Sequence, residues 1–289
     1  MQSNINLGEN SPFNFFQLEE PFHRDNSAIV EQIKKKEIDG VIAKSILTLQ
    51  EVAEVKSFLN DLQENLYMTT PSGKIFPKPF AVINGERANQ DAYAEYVALL
   101  DDYKLKHLSI HSIFKKLNEF ISYVASKYKV SSPTLKLNKC TVAEGTFRYL
   151  YPNRGGLYVH SGNYFQEQNE FFYSMLEEDI DMDNQLSYFI VLQNAEQGGE
   201  LTLYDLIWEK GQVKDTPLNN EFVLDKEGKK IIIKDLINLK LRPQPGDLLM
   251  FYGGYIWHRV EDIEGNTPRI TLGGFLNFSK DDKELYYWS

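Results

Sequence analysis

His160 and His258 lie far apart in the chain, yet each sits in strand-like sequence: Tyr158-Val-His-Ser-Gly-Asn163 and Trp257-His-Arg259. Neutral imidazole is a good donor to a ferrous ion. Two histidines and one carboxylate occupy one face of an octahedron and leave the other face open for chemistry. The carboxylate normally stands two places after the first histidine, as His-x-Asp or His-x-Glu. Here that place is Gly162.

In 2-oxoglutarate oxygenases, the open face of such a centre takes the co-substrate at two positions and O2 at the third. The far carboxylate of that co-substrate needs a buried cation, and arginine's planar fork binds both oxygens. Arg269 opens the strand-like run after His258 and suits the task. Thr271 shares its strand face and adds a hydroxyl. Arg148, on the alternating run Thr146-Phe-Arg-Tyr149, faces either the pocket as a second anion ligand or solvent. Without an acid at 162, the metal lacks one negative charge and one ligand. A chloride or bromide ion restores both. A substrate radical formed at such a centre then collects halide rather than hydroxyl. Other readings stay open on these residues alone. Gly162 is also what an ordinary turn in an inactive protein would carry, and Glu167 or Asp205 is available as an acid from elsewhere.

The elements that must position these residues fall in two textures. Thr48-Leu-Gln-Glu51 reads as a capping box, followed by an apolar stripe through Val52, Val55, Leu59, Leu62 and Leu66. A second helical stripe runs Ile110, Ile113, Phe114, Leu117, Phe120, Ile121, Val124. A short helix is expected over 27–39. Between the long helices, 70–90 reads as a proline- and glycine-broken loop carrying Phe76, Phe80, Val82 and Ile83, either a pinned connection or a substrate lid. From Cys140 onward the texture is of short strands: 146–151, 157–160, 186–193, 200–208, 221–224, 230–234, 247–251, 256–260 and 269–278, with turn residues at the breaks and one helix over 167–176. Strands after a helical half predict a mainly β protein with helices (α+β). Its core is expected to be a double-stranded β-helix, the jelly-roll or cupin-like architecture, with N-terminal helices packed outside.

Several stretches together resemble the carrier-independent aliphatic halogenases of hapalindole and welwitindolinone biosynthesis. They include His160-Ser-Gly-Asn163, Gln185-Leu-Ser-Tyr-Phe-Ile190, Gly198-Gly-Glu-Leu201 with Tyr204, and Pro245-Gly-Asp247. They continue through His258-Arg-Val260, Gly265-Asn266, Pro268-Arg269, Gly273-Gly-Phe275, Phe278-Ser-Lys280 and Tyr286-Tyr-Trp-Ser289. The resemblance covers roughly residues 140–289. It implies one iron(II)- and 2-oxoglutarate-dependent domain over 1–289, with a mostly helical half and lid at 1–138 and the jelly-roll core at 139–289. It implies His160 and His258 as iron ligands, Gly162 as the halide gap, Arg269 as the 2-oxoglutarate anchor and Ser187 as a hydroxyl beside the halide. The sequence departs from those enzymes across 70–90 and after Asn163, where the substrate pocket is expected to draw on Phe80, Val82, Ile83, Leu157 and Tyr164. The reaction so implied is halogenation of an unactivated C–H bond in a free small molecule, with no carrier protein. A hydroxylase or desaturase on the same fold, and a non-catalytic jelly-roll binding protein, are the competing readings.

Composition agrees with a small-molecule enzyme. Net charge is −10, without a basic tract or aromatic-basic ladder, which argues against nucleic acid. Apolar residues make up 42%, enough for a sizeable core. One cysteine, Cys140, excludes an intramolecular disulfide and a cysteine zinc cluster. No secretion signal or membrane-length apolar run is expected, so the setting expected is cytoplasmic. His107 and His111 are four apart but lack the glutamate of His-Glu-x-x-His, and are not expected to bind metal.

Overall fold

The computed structural model describes residues 2–4, 11–19, 27–79, 90–136, 139–168, 173–210, 212 and 219–289. The first half runs β1 (Gln2–Asn4), β2 (Phe15–Leu18), α1 (Ile29–Lys34), β3 (Gly40–Ala43) and α2 (Leu49–Asp61). It continues with β4 (Met68–Thr70), β5 (Gly73–Phe76), α3 (Gln90–Lys106), α4 (Leu108–Val124) and β6 (Lys129–Ser131). The second half opens with β7 (Thr146–Leu150), β8 (Leu157–His160), α5 (Gly162–Gln168), β9 (Leu186–Gln193) and β10 (Gln197–Gly198). Next come β11 (Leu201–Ile207), β12 (Phe222–Leu224), β13 (Lys230–Ile232), β14 (Asn238–Leu241) and β15 (Leu248–Phe251). The last four are β16 (Ile256–Val260), β17 (Ile263–Glu264), β18 (Arg269–Phe278) and β19 (Glu284–Trp288).

Strands dominate this mixed fold. The larger sheet follows the order β1-β2-β3-β15-β9-β18-β7-β5-β4, with β19 and β6 continuing from β18. The smaller one runs β14-β11-β16-β8. Leu201, Leu203, Leu241 and Ile256 of the smaller sheet share one apolar cluster with Phe251, Leu272 and Leu276 of the larger. The two sheets are therefore packed on each other.

The capping box and the two apolar stripes give α2 and α4, although α2 stops at Asp61, short of Leu66, and α3 has no counterpart among the expected helices. Thr48 caps α2 through Oγ1, which accepts from Glu51 N (3.2 Å), while Glu51 Oε2 accepts from Thr48 N (2.8 Å). Val52, Val55, Phe58 and Leu59 are its buried face, and α4 buries the whole predicted stripe from Ile110 to Val124. The short N-terminal helix is trimmed to α1. The helix expected over 167–176 instead begins at Gly162, and 169–172 lie outside the described residues.

The first half is less purely helical than its composition suggests. β2 and β3 extend the larger sheet beyond β15, and the hairpin β4–β5 extends it beyond β7. The stretch expected as a loop from residue 70 thus starts as a strand, because Ile75 and Phe76 pair with Arg148 and Phe147. Phe80, Val82 and Ile83 lie outside the described residues.

Two buried polar side chains are structural here. Asp247 is buried and accepts from Ser45 N (3.0 Å) and Gln244 N (2.8 Å), while Lys44 pairs with it. It thereby ties β3 to the start of β15. Asn277 is fully buried and accepts from Trp288 Nε1 (2.9 Å), which locks β19 to β18.

Phe147 joins helix and sheet. Its fully buried ring stacks on Phe76 (6.4 Å between centroids) and meets Phe114 of α4 edge-on (6.1 Å). Replacing it with alanine is expected to cost about 3–5 kcal/mol of stability through lost burial and a residual cavity. The urea midpoint should fall with little change in slope; an unchanged midpoint would show that this ring does not join the layers.

Candidate metal centre

The pairing of β8 with β16 makes His160 and His258 direct cross-strand partners. Directly opposed residues project to the same side of a sheet. The two rings accordingly come within 4.3 Å, centroid to centroid, tilted by 55°. Each ring is oriented by its own backbone. His160 Nδ1 lies 2.7 Å from Tyr158 O, and His258 Nδ1 lies 2.8 Å from Ile256 O. A carbonyl only accepts, so each Nδ1 carries the proton and each Nε2 keeps its lone pair. That is the tautomer a metal ligand needs.

Electrostatics favour the same state. Burial is the leading cause that holds both imidazoles below their ordinary value. It brings His160 down to about 4, helped by the charge of Arg148. His258 lies well below its usual range, with His160 adding to the effect of burial. Phe251 meets the His258 ring edge-on at 4.9 Å and closes that side with an apolar wall.

The other functional residues converge on the same interior from the larger sheet. Arg148 and Thr271 are cross-strand partners on β7 and β18, and Arg269 lies two residues from Thr271 on the same face. Arg269 is only 5% exposed, and its guanidinium lies over the Phe189 ring at 5.0 Å. Burial lowers it to about 10, reinforced by Arg148. Glu200, the nearby acid that opposes this shift, is itself paired with Arg242 at 2.7 Å. Among the described residues neither Arg148 nor Arg269 forms an ion pair. A buried cation without a partner is costly, so an anion bound beside these guanidiniums would be stabilising. Ser187 shares the inner face of β9 with Phe189, and a Cβ placed on Gly253 would lie 2.1 Å from its Oγ.

Gly162 is buried at the start of α5, its N–H donating to Gly253 O at 2.8 Å. Among the described residues no third histidine, cysteine or carboxylate joins the two imidazoles. Asp205 faces solvent on β11, and the side chain of Glu167 lies outside those described.

Of the two described residues expected in the pocket, one lies on the other face of the smaller sheet. Tyr164 is buried against Trp257 at 5.6 Å, in a cluster with Val159, Tyr204 and Trp208. Trp257 and His258 are successive strand residues and point to opposite faces, so Tyr164 packs on the side away from the imidazoles. Leu157 packs with Leu150, Ala195, Val260 and Ile263, at the end of the interior where the Arg269 stem lies. Sequence reasoning missed Phe189, Phe251 and Gln185. Their place beside the site depends on strand register, which composition does not disclose.

A pair of opposed imidazoles with Nδ1 protonated, facing two guanidiniums without an ion-pair partner among the described residues, is the arrangement that a mononuclear non-haem metal enzyme with an anionic co-substrate requires. The chain belongs to the carrier-protein-independent halogenase WelO5 family, which it matches over residues 12–289. No curated protein matches it in sequence. Among solved structures, the non-haem alpha-ketoglutarate-dependent carbocyclase SnoK of nogalamycin biosynthesis is 11% identical, with a TM-score of 0.50 over 93% of this chain and 89% of that one. An N-substituted L-amino acid dioxygenase from Burkholderia ambifaria is 14% identical over 89% of each chain, with a TM-score of 0.48. The likeness to the carbocyclase is one of fold.

Between the ordinary imidazole value of 6.5 and about 4, the unfolded chain binds a proton at His160 that the folded chain does not. That contribution to stability is present above the unfolded value and is lost as pH falls through the folded one. The metal-free protein should therefore melt at a lower temperature at about pH 5 than at about pH 7. His160→Gln should flatten part of that dependence; an identical slope in the variant would contradict the assignment.

Proposed function

We propose that this chain chlorinates or brominates an unactivated C–H bond of a free small molecule, using iron(II), 2-oxoglutarate, O2 and a halide ion. The observation that carries this reading is the histidine pair: two imidazoles opposed across β8 and β16, each with Nδ1 turned to a backbone carbonyl, and glycine where the acidic third ligand normally stands. The donor set fits ferrous iron.

His160 and His258 would hold the metal through Nε2, their rings fixed by the carbonyls of Tyr158 and Ile256. Bound there, iron with 2-oxoglutarate and O2 supplies the oxidation that removes a hydrogen atom from the substrate. Arg269 would take the distal carboxylate of 2-oxoglutarate in a forked pair of hydrogen bonds, with the Thr271 hydroxyl beside it. Arg148 adds a second cation to the same anion-receiving face. Gly162 brings no acid to the metal and so leaves a coordination place to a halide. Ser187 offers its hydroxyl to that halide from the inner face of β9. Phe251 and Phe189 keep bulk water from the interior.

The two packed sheets are read as the halves of a double-stranded β-helix, and 1–289 as one domain. The principal core supports this, since it draws on residues from Phe13 to Trp288. Phe80, Val82 and Ile83 remain the proposed substrate wall. Carrier independence in the family supports a free substrate rather than a tethered one. Among the described residues no helix is long and apolar enough to cross a membrane. The single free thiol accords with a reducing, cytoplasmic setting.

Anaerobic addition of iron(II) and 2-oxoglutarate should produce a weak visible charge-transfer band that shifts on titration with chloride. A band indifferent to halide would sink the halogenase reading and favour a hydroxylase. No band at all, with folded protein, would favour a binding module. His258→Ala should abolish the band. Arg269→Lys should keep it only at raised 2-oxoglutarate, with affinity weaker by about tenfold or more because the forked geometry is lost.

A further inference from the structure

The place where an acid at 162 would stand is not empty. A Cβ built on Gly162 comes 2.0 Å from Gln185 Oε1, 3.1 Å from Gln185 Cδ and 3.1 Å from Gly254 Cα. The carboxamide of Gln185 thus lies where the side chain of an aspartate would begin. Gln185 is only 2% exposed, and its Oε1 has no hydrogen-bond partner. A buried polar atom without a partner is destabilising, so its presence asks for an explanation.

The surrounding backbone holds this carboxamide in place. Gln185 O accepts from Gly254 N at 2.8 Å, Gly162 N donates to Gly253 O at 2.8 Å, and Asn163 N donates to Gly254 O at 3.0 Å. These bonds lace the start of α5, the residue before β9 and the turn before β16 into one knot. Glycine at 254 is required there, because a Cβ would lie 2.5 Å from Gln185 O and 2.4 Å from Asn163 Oδ1. The knot therefore presses Gln185 against Gly162 independently of any bound group.

The two ends of a carboxamide are alike in shape, and turning the group over exchanges acceptor for donor in the same volume. With Nε2 at that point, Gln185 directs an N–H toward the space beside Gly162, and an anion there gives it the partner it lacks. We propose that Gln185 is a halide-positioning residue: its carboxamide fills the room that a side chain at 162 would need and donates a hydrogen bond to the halide. This rests on the halogenase reading of the same site. It adds that glycine is required at 162 for two reasons. Glycine brings no acid to the metal, and it makes room for Gln185. Alanine would satisfy the first requirement and fail the second.

The test is anaerobic chloride titration of the full chain with iron(II) and 2-oxoglutarate, read from the charge-transfer band. Gln185→Met keeps the volume and removes the donor. It should retain the band at wild-type intensity and raise the chloride dissociation constant by about tenfold or more, the scale of a lost hydrogen bond to a charge. Gly162→Ala adds a methyl group and no acid, yet should weaken chloride comparably by displacing the carboxamide. Combining Gly162→Ala with Gln185→Met should then be no worse than the weaker single variant, since both act on one contact. Wild-type chloride affinity in Gln185→Met, or fully additive losses in the double variant, would overturn the proposal. If Gln185→Met does not fold or shows no band, Gly162→Ala decides alone, and wild-type chloride affinity in that variant overturns it. A wild-type protein whose band ignores chloride would instead refute the underlying halogenase reading.

Discussion

The site depends on one strand pairing. β8 lies at the edge of the smaller sheet and pairs with β16 so that His160 stands opposite His258. The register breaks immediately beyond, between the His258 and Val260 pairings, so the match is local rather than imposed by a long regular ladder. A slip of one residue would send one imidazole to the Trp257 side, into the apolar cluster with Val159 and Tyr204. That cluster resists such a slip, because it would have to accept a polar ring and release an aromatic one. Packing on one face of the smaller sheet thus fixes the chemistry on the other.

The arginine-bearing side is built differently. Arg148, Arg269 and Thr271 gather on adjoining strands of the larger sheet, and the cost of burying guanidinium is offset only in part within the chain. Phe189 supplies the face on which Arg269 lies, and Glu200 tempers its charge from a distance while bound to Arg242. Without an anion this half of the interior carries unbalanced positive charge. The imidazole half stays neutral, because burial disfavours protonation of both rings and Arg148 adds to this at His160. Metal and co-substrate would therefore complement each other: each half supplies what the other needs in charge.

Much of this was legible in the sequence. The two histidines, the arginine and the strands bearing them were readable because their signals are local: alternation and turn residues at the breaks. The capping box of α2 and the stripe of α4 were readable for the same reason. What escaped depended on distant pairing. β3 and β5 are short runs whose strand character comes from β15 and β7, far along the chain. Tyr164 follows the ligand stretch closely enough to suggest the pocket, but the first turn of α5 carries it to the Trp257 side. Gln185 lies within a recognised motif, yet nothing in the motif says that its carboxamide meets Gly162.

The orientation of the two imidazoles carries a last consequence. In many metal sites a carboxylate side chain steers the ligand ring, so a point mutation in that outer partner can loosen the ion. Here the steering atoms are main-chain oxygens two residues before each ring. No substitution at Tyr158 or Ile256 deletes a carbonyl. The identities of these neighbours are thereby released to vary under selection for other purposes, while the aim of both rings is inherited from the strand itself.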